Sequence, residues 1–67
     1  MAYTKINKLQ RIIKIQDITL DHTNRGISQR WVYEHVIYPR FLISLPTFYN
    51  YLASPAKRDL RELLESS

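Results

Sequence analysis

Apolar residues along the first third of the chain recur at helical spacing. Ile6, Leu9, Ile13 and Leu20 fall on one stripe with Ile12 at its edge, while Lys5, Lys8, Arg11 and Lys14 take the other side. The pattern predicts a helix from about Thr4 to His22. Asn24-Arg25-Gly26 then stops it, Gly26 supplying the left-handed backbone that closes many helices. Ile15 and Ile18 lie off this stripe and face either a second chain or the far end of the same fold.

A second helix opens at Ser28, whose hydroxyl can accept an orphan backbone N–H. It carries Trp31, Val32, Val36 and Ile37, with Trp31 as the expected core anchor. Pro39 disfavours helical geometry at the residue before it, so an end near Tyr38 is predicted. Pro39-Arg40-Phe41-Leu42-Ile43 then reads as an apolar turn with Phe41 and Ile43 buried. The third helix starts after a cap at Ser44, with Pro46 in the first turn, where its missing N–H is not needed. Phe48 and Leu52 point one way; Pro46, Tyr49 and Asn50 point elsewhere.

Ser54-Pro55 repeats the start signal. A fourth helix is predicted from about Pro55 to Glu65, with Ala56, Leu60, Leu63 and Leu64 as its apolar face. It is either separate from the third or continuous with it through a kink. Alternating strand patterns and hairpin dipeptides are lacking. The expected fold is all-α: a single domain over residues 1–67, a small three- to four-helix bundle.

With 67 residues the core is small. A domain of this size buries only about 60% of its unfolded surface and usually needs a disulfide, a metal, good helix packing or a partner chain. There is no cysteine, which removes disulfides and thiolate metal sites and fits a reducing compartment. No apolar run approaches the roughly 18 residues of a membrane span, and the N-terminus lacks a signal-peptide core, so a cytoplasmic location is expected. Ten Lys and Arg against six Asp and Glu give a net charge of +4, which favours a polyanionic partner and nucleic acid first.

The stretch Ile43-Ser44-Leu45-Pro46-Thr47-Phe48-Tyr49-Asn50-Tyr51-Leu52 gives that partner a shape. Ile43, Ser44, Thr47, Phe48, Tyr51 and Leu52 match a pattern of aliphatic, serine cap, threonine, apolar residue, aromatic and leucine. In this it resembles the recognition helix of small helix-turn-helix DNA-binding domains of the homeodomain-like class. The resemblance runs from Trp31 to Leu52 and implies a helix-turn-helix at about residues 28–53. Two positions depart from it. Leu42 stands where such turns often carry glycine, and Pro39 falls where the preceding helix normally continues, which predicts a longer turn.

The resemblance implies a segment opened by Ser44 that faces a DNA groove with its variable residues. The segment from Leu45 to Ala53 is uncharged, so base contacts are expected from Pro46, Thr47, Tyr49 and Asn50. Asn can pair with adenine in bidentate fashion and Thr can touch a thymine methyl. Phosphate contacts are expected from Arg40, Ser44, Tyr51, Lys57, Arg58 and Arg61. Cations in the first turn of a helix oppose its dipole, so Lys57 and Arg58 read as phosphate clamps.

Nothing in the sequence suggests catalysis. His22 and His35 are isolated from each other and from any cysteine, one glycine cannot build a phosphate loop, and no nucleophile-elbow motif occurs. No catalytic residue, metal site or cofactor is expected. The expected function is a double-stranded-DNA-binding module, such as a small transcriptional regulator or an accessory protein of a mobile element. The alternative is a basic helical adaptor that docks an acidic protein. A homodimer is expected, through Ile15, Ile18 or the Leu60-Leu63-Leu64 face. Neither a membrane nor a small-molecule substrate is expected.

Overall fold

A computed structural model describes the backbone of residues 2–65 and the side chains of residues 4–65. The first helix, α1, spans Ala2–Thr23. At 1.5 Å per residue it is about 33 Å long and forms the spine of a 38 × 23 × 16 Å domain. Its buried line is Leu9, Ile12, Ile15 and Thr19, with Gln16 half-buried beside them. Two expectations change here. Leu20 is 55% exposed rather than part of the core, and Ile15 is fully buried within this chain, with Ile18 packed beside it. Thr19 tolerates burial because its hydroxyl donates to the Ile15 carbonyl at 2.8 Å.

Gly26, at φ +89°, closes the connection out of α1 as expected. Ser28 then caps the next helix, its hydroxyl oxygen accepting from the Trp31 N–H. This second rod runs without interruption through α2 (Gln29–Val32), a π-helical turn at Tyr33–Ile37, and α3 (Tyr38–Phe41). The predicted stop at Tyr38 is therefore wrong: Pro39 lies inside the rod. In an α-helix, Pro39 would collide with the carbonyl four residues back and leave it without a donor. Here the backbone widens just before the proline, and the Tyr38 N–H reaches five residues back to the Tyr33 carbonyl.

The rod ends at Leu42, which adopts φ 54°, ψ 44°, the left-handed conformation that non-glycine residues rarely take. The connection to the next helix is Leu42-Ile43-Ser44, three residues rather than the longer turn that Pro39 suggested. Phe41 and Ile43 are half-buried and pack against the core.

Helix α4 covers Leu45–Ala53 and α5 covers Ala56–Glu65. Ser54 is extended at φ −72°, ψ 138°, so the two helices are separate. The core has two linked parts. Ile15, Val32, Ile37 and Phe48 join α1, the rod and α4. Leu9, Ile12 and Ala56 join α1 and α5. Half-buried Tyr51 packs against both. The protein is an all-α bundle. No helix among the described residues is long and apolar enough to cross a membrane.

Trp31 is not a core anchor. It is 44% exposed and lies between two imidazoles, with ring centroids 4.5 Å from His35 and 6.4 Å from His22. It stands on the solvent side of the rod. Val32, its neighbour, takes the buried place.

Candidate nucleic-acid interface

The rod and α4 are two helices joined by the three-residue turn Leu42-Ile43-Ser44. Two caps define the turn. Leu42 closes α3, its N–H donating to the Tyr38 carbonyl at 2.9 Å. Ser44 opens α4, its hydroxyl oxygen accepting from the Thr47 N–H at 3.4 Å while its hydroxyl donates to Thr47 Oγ1 at 2.8 Å. The turn is also tied to the rest of the fold. Arg11 of α1 donates to the Phe41 carbonyl at 2.8 Å and places its guanidinium 5.6 Å from the centre of the Phe41 ring. Tyr33 donates its hydroxyl hydrogen to the Ile43 carbonyl at 2.9 Å.

This framework orients α4. Phe48 is fully buried, and Leu45, Tyr51 and Leu52 are half-buried around it. Helical spacing then turns Pro46, Tyr49 and Asn50 outward, and all three are exposed. Thr47 is half-buried at the edge of that face, its hydroxyl engaged by Ser44. The outward surface of α4 is thus an uncharged patch of proline, tyrosine and asparagine.

The cations expected to contact phosphate are divided. Arg40 is exposed in the last turn of α3, just before Leu42. Lys57 and Arg58 are exposed at the start of α5 and line a groove of about 390 Å³ between α1 and the junction of α4 with α5. Lys57 has an ionic partner, its ammonium 2.8 Å from a carboxylate oxygen of Asp17 on α1. Both side chains are more than half exposed, so the pair is worth little in stability but lowers the local positive charge. Arg58 lies 3.7 Å from the Asp59 carboxylate. Arg61 is exposed one turn farther along α5, beside Ile13 and Leu60. Tyr51 belongs to the packing rather than to the outward patch. Ser44 is exposed at the N-terminus of α4, where the helix dipole favours an anion, while Pro46 has no N–H and the Thr47 N–H is engaged by Ser44 itself.

No protein-family model, curated protein or solved structure matches the chain.

Three features around this surface leave no local trace in the sequence. Asp17 was not read as the partner of Lys57, because their contact crosses two helices. Tyr38 at the start of α3 and Leu42 at its close are exposed apolar surface, as Tyr49 is on α4. Arg11 belonged to a basic ladder on α1, yet it acts as a brace for the turn.

Proposed function

We propose that this chain is a double-stranded-DNA-binding module, a regulator or accessory factor rather than an enzyme. The observation that carries the reading is the outward face of α4. Pro46, Tyr49 and Asn50 project from a helix that is capped, held by a three-residue turn and flanked at both ends by cations. Asn50 and Thr47 supply hydrogen-bonding groups for base edges, and Tyr49 adds an apolar and phenolic surface. Arg40 on one flank and Lys57 and Arg58 on the other bind phosphates, with Ser44 and the α4 N-terminus accepting another. This reading leaves out Tyr51, which is half-buried against both parts of the core, and Arg61, which borders the seam between α1 and α5.

An acidic-protein adaptor is the second reading. The exposure of Tyr38 (50%), Leu42 (74%) and Tyr49 (42%) favours it, since aromatic and aliphatic surface beside a basic border suits a protein partner. Salt dependence separates the two. Three phosphate contacts imply a slope of about −2.7 in log K against log salt, or roughly a fortyfold loss of affinity between about 50 and 200 mM. Fluorescence anisotropy on a labelled random duplex measures it. An absence of binding to duplex at about 50 mM salt would sink the DNA reading.

A further inference from the structure

A shallow apolar groove of about 500 Å³ follows the seam between α1 and α5. Ile13 lines it from α1, and Leu60 and Leu64 line it from α5, with Lys57, Arg61 and Glu65 at its rim. Leu64 is 55% exposed. Leu20 is also 55% exposed, two turns beyond Ile13 on the same side of α1. The fully or nearly buried apolar core of the described residues amounts to seven side chains, of which one is an alanine. A domain this small commonly completes its burial against a partner.

We propose that the partner is a second copy of this chain, docked along the seam with the two α5 helices antiparallel about a two-fold axis. The charge order of α5 selects this occupant. Lys57 and Arg58 stand in its first turn beside Asp59, and Glu62 and Glu65 lie near its end, so that apart from Asp59 the order is the reverse of what the helix dipole favours. Antiparallel pairing places the cationic start of one helix beside the acidic end of the other. A register with the two-fold axis between Glu62 and Leu63 keeps Leu60 within one residue, about 1.5 Å along the helix, of the partner's Leu64, and Arg61 equally close to the partner's Glu65. The two-fold axis makes each of these contacts twice. A rim that holds Lys57 and Arg61 beside Glu65 matches an occupant carrying both signs, as a second α5 does; a uniformly acidic peptide or an anionic membrane would meet only the two cations and leave Glu65 opposed. The proposal goes beyond DNA binding and is tested without DNA.

Sedimentation equilibrium on the intact chain, from about 10 μM to 1 mM, is the test, a range suited to an interface of modest area. The mass is expected to rise from 8.0 kDa towards twice that value. Leu64→Glu, Arg61→Glu and Glu65→Arg change exposed positions, and circular dichroism checks that each variant is folded. Each should weaken the dimer about tenfold or more. An equimolar mixture of the Arg61→Glu and Glu65→Arg chains should restore it, because each then meets opposite charges at both contacts. A single-chain mass throughout overturns the proposal, including the case of a monomer that binds anionic vesicles through Leu64. So does a dimer indifferent to all three changes, or a mixture no tighter than its parents.

Discussion

Gln16 of α1 donates one amide hydrogen bond to the Tyr51 carbonyl at 2.7 Å; its other bond goes to the Ser54 carbonyl at 2.8 Å. In the last turn of α4 the Tyr51 carbonyl accepts from the Ser54 N–H at 3.2 Å, and Gln16 adds a second donor there while also reaching the Ser54 carbonyl just beyond the helix. Gln16 thereby fixes where α4 ends against the spine. Gln16→Leu keeps the size but takes the Gln16 donor from the Ser54 carbonyl and leaves the Tyr51 carbonyl with the Ser54 N–H alone. The expected loss is about 1–3 kcal/mol, read as a fall in thermal midpoint of roughly 4–8 °C per kcal/mol. An unchanged melting curve would show that α4 is held by packing alone.

Leu42 occupies a left-handed backbone position with its side chain 74% exposed. A left-handed residue with a Cβ costs about 1–2 kcal/mol, and Leu42 recovers little of that through burial. Glycine removes the strain but adds freedom to the unfolded chain worth about 0.5–1 kcal/mol. Leu42→Gly should therefore stabilise the protein by about 0.5–1 kcal/mol, measured by urea unfolding. Destabilisation would mean that the side chain makes a contact worth more than the strain.

The helices themselves were legible, because their caps and apolar spacing are local. Ser28, Ser44 and Ser54-Pro55 marked their starts, and Gly26 marked a stop. Misreadings arose where a polar residue took a core-side place or where backbone geometry departed from the α-helix. Gln16 and Thr19 belong to the inner face of α1, so a stripe drawn through aliphatics alone tilted towards Leu20 and away from Ile15. Pro39 carries an ordinary helix-stop signal, and the residues before it carry no local signal for the π turn that admits it. The candidate interface was legible as a residue set on α4, since Phe48 and Leu52 dictate the opposite face. Its electrostatics were not, because Asp17 reaches Lys57 only after the chain has folded.

Exposure separates Trp31 from the other large aromatic near the centre of the fold. Phe48 is fully buried against Ile15, Val32 and Ile37, whereas Trp31 keeps 44% of its surface in water. Phe48→Ala should cost about 3–5 kcal/mol, the range for emptying a core aromatic site. Trp31→Ala loses a partly wet stack on His35 and should cost only about 0.5–1.5 kcal/mol. Chemical denaturation of the two variants gives the comparison directly. Equal losses would place Trp31 back in the core.

The division of labour on the proposed DNA surface predicts three distinct outcomes. Asn50→Ala removes a group suited to base edges and no charge, so sequence preference should fall by about 1–3 kcal/mol while binding to random duplex changes little. Arg58→Ala removes a phosphate contact, so all sequences should weaken alike and the salt slope should flatten by about 0.9. Asp17→Asn acts in the opposite direction. It releases Lys57 from its ionic partner, both being well exposed, and deletes a negative charge beside the groove. Affinity for every duplex should then rise, most at low salt where screening is weakest. Anisotropy titrations of the three variants at two salt concentrations read all of these effects. A rise in affinity from Asp17→Asn that is absent when Lys57 is also changed to alanine would place Lys57 at the phosphates. The same rise in both backgrounds would leave only the general field of the protein to explain it.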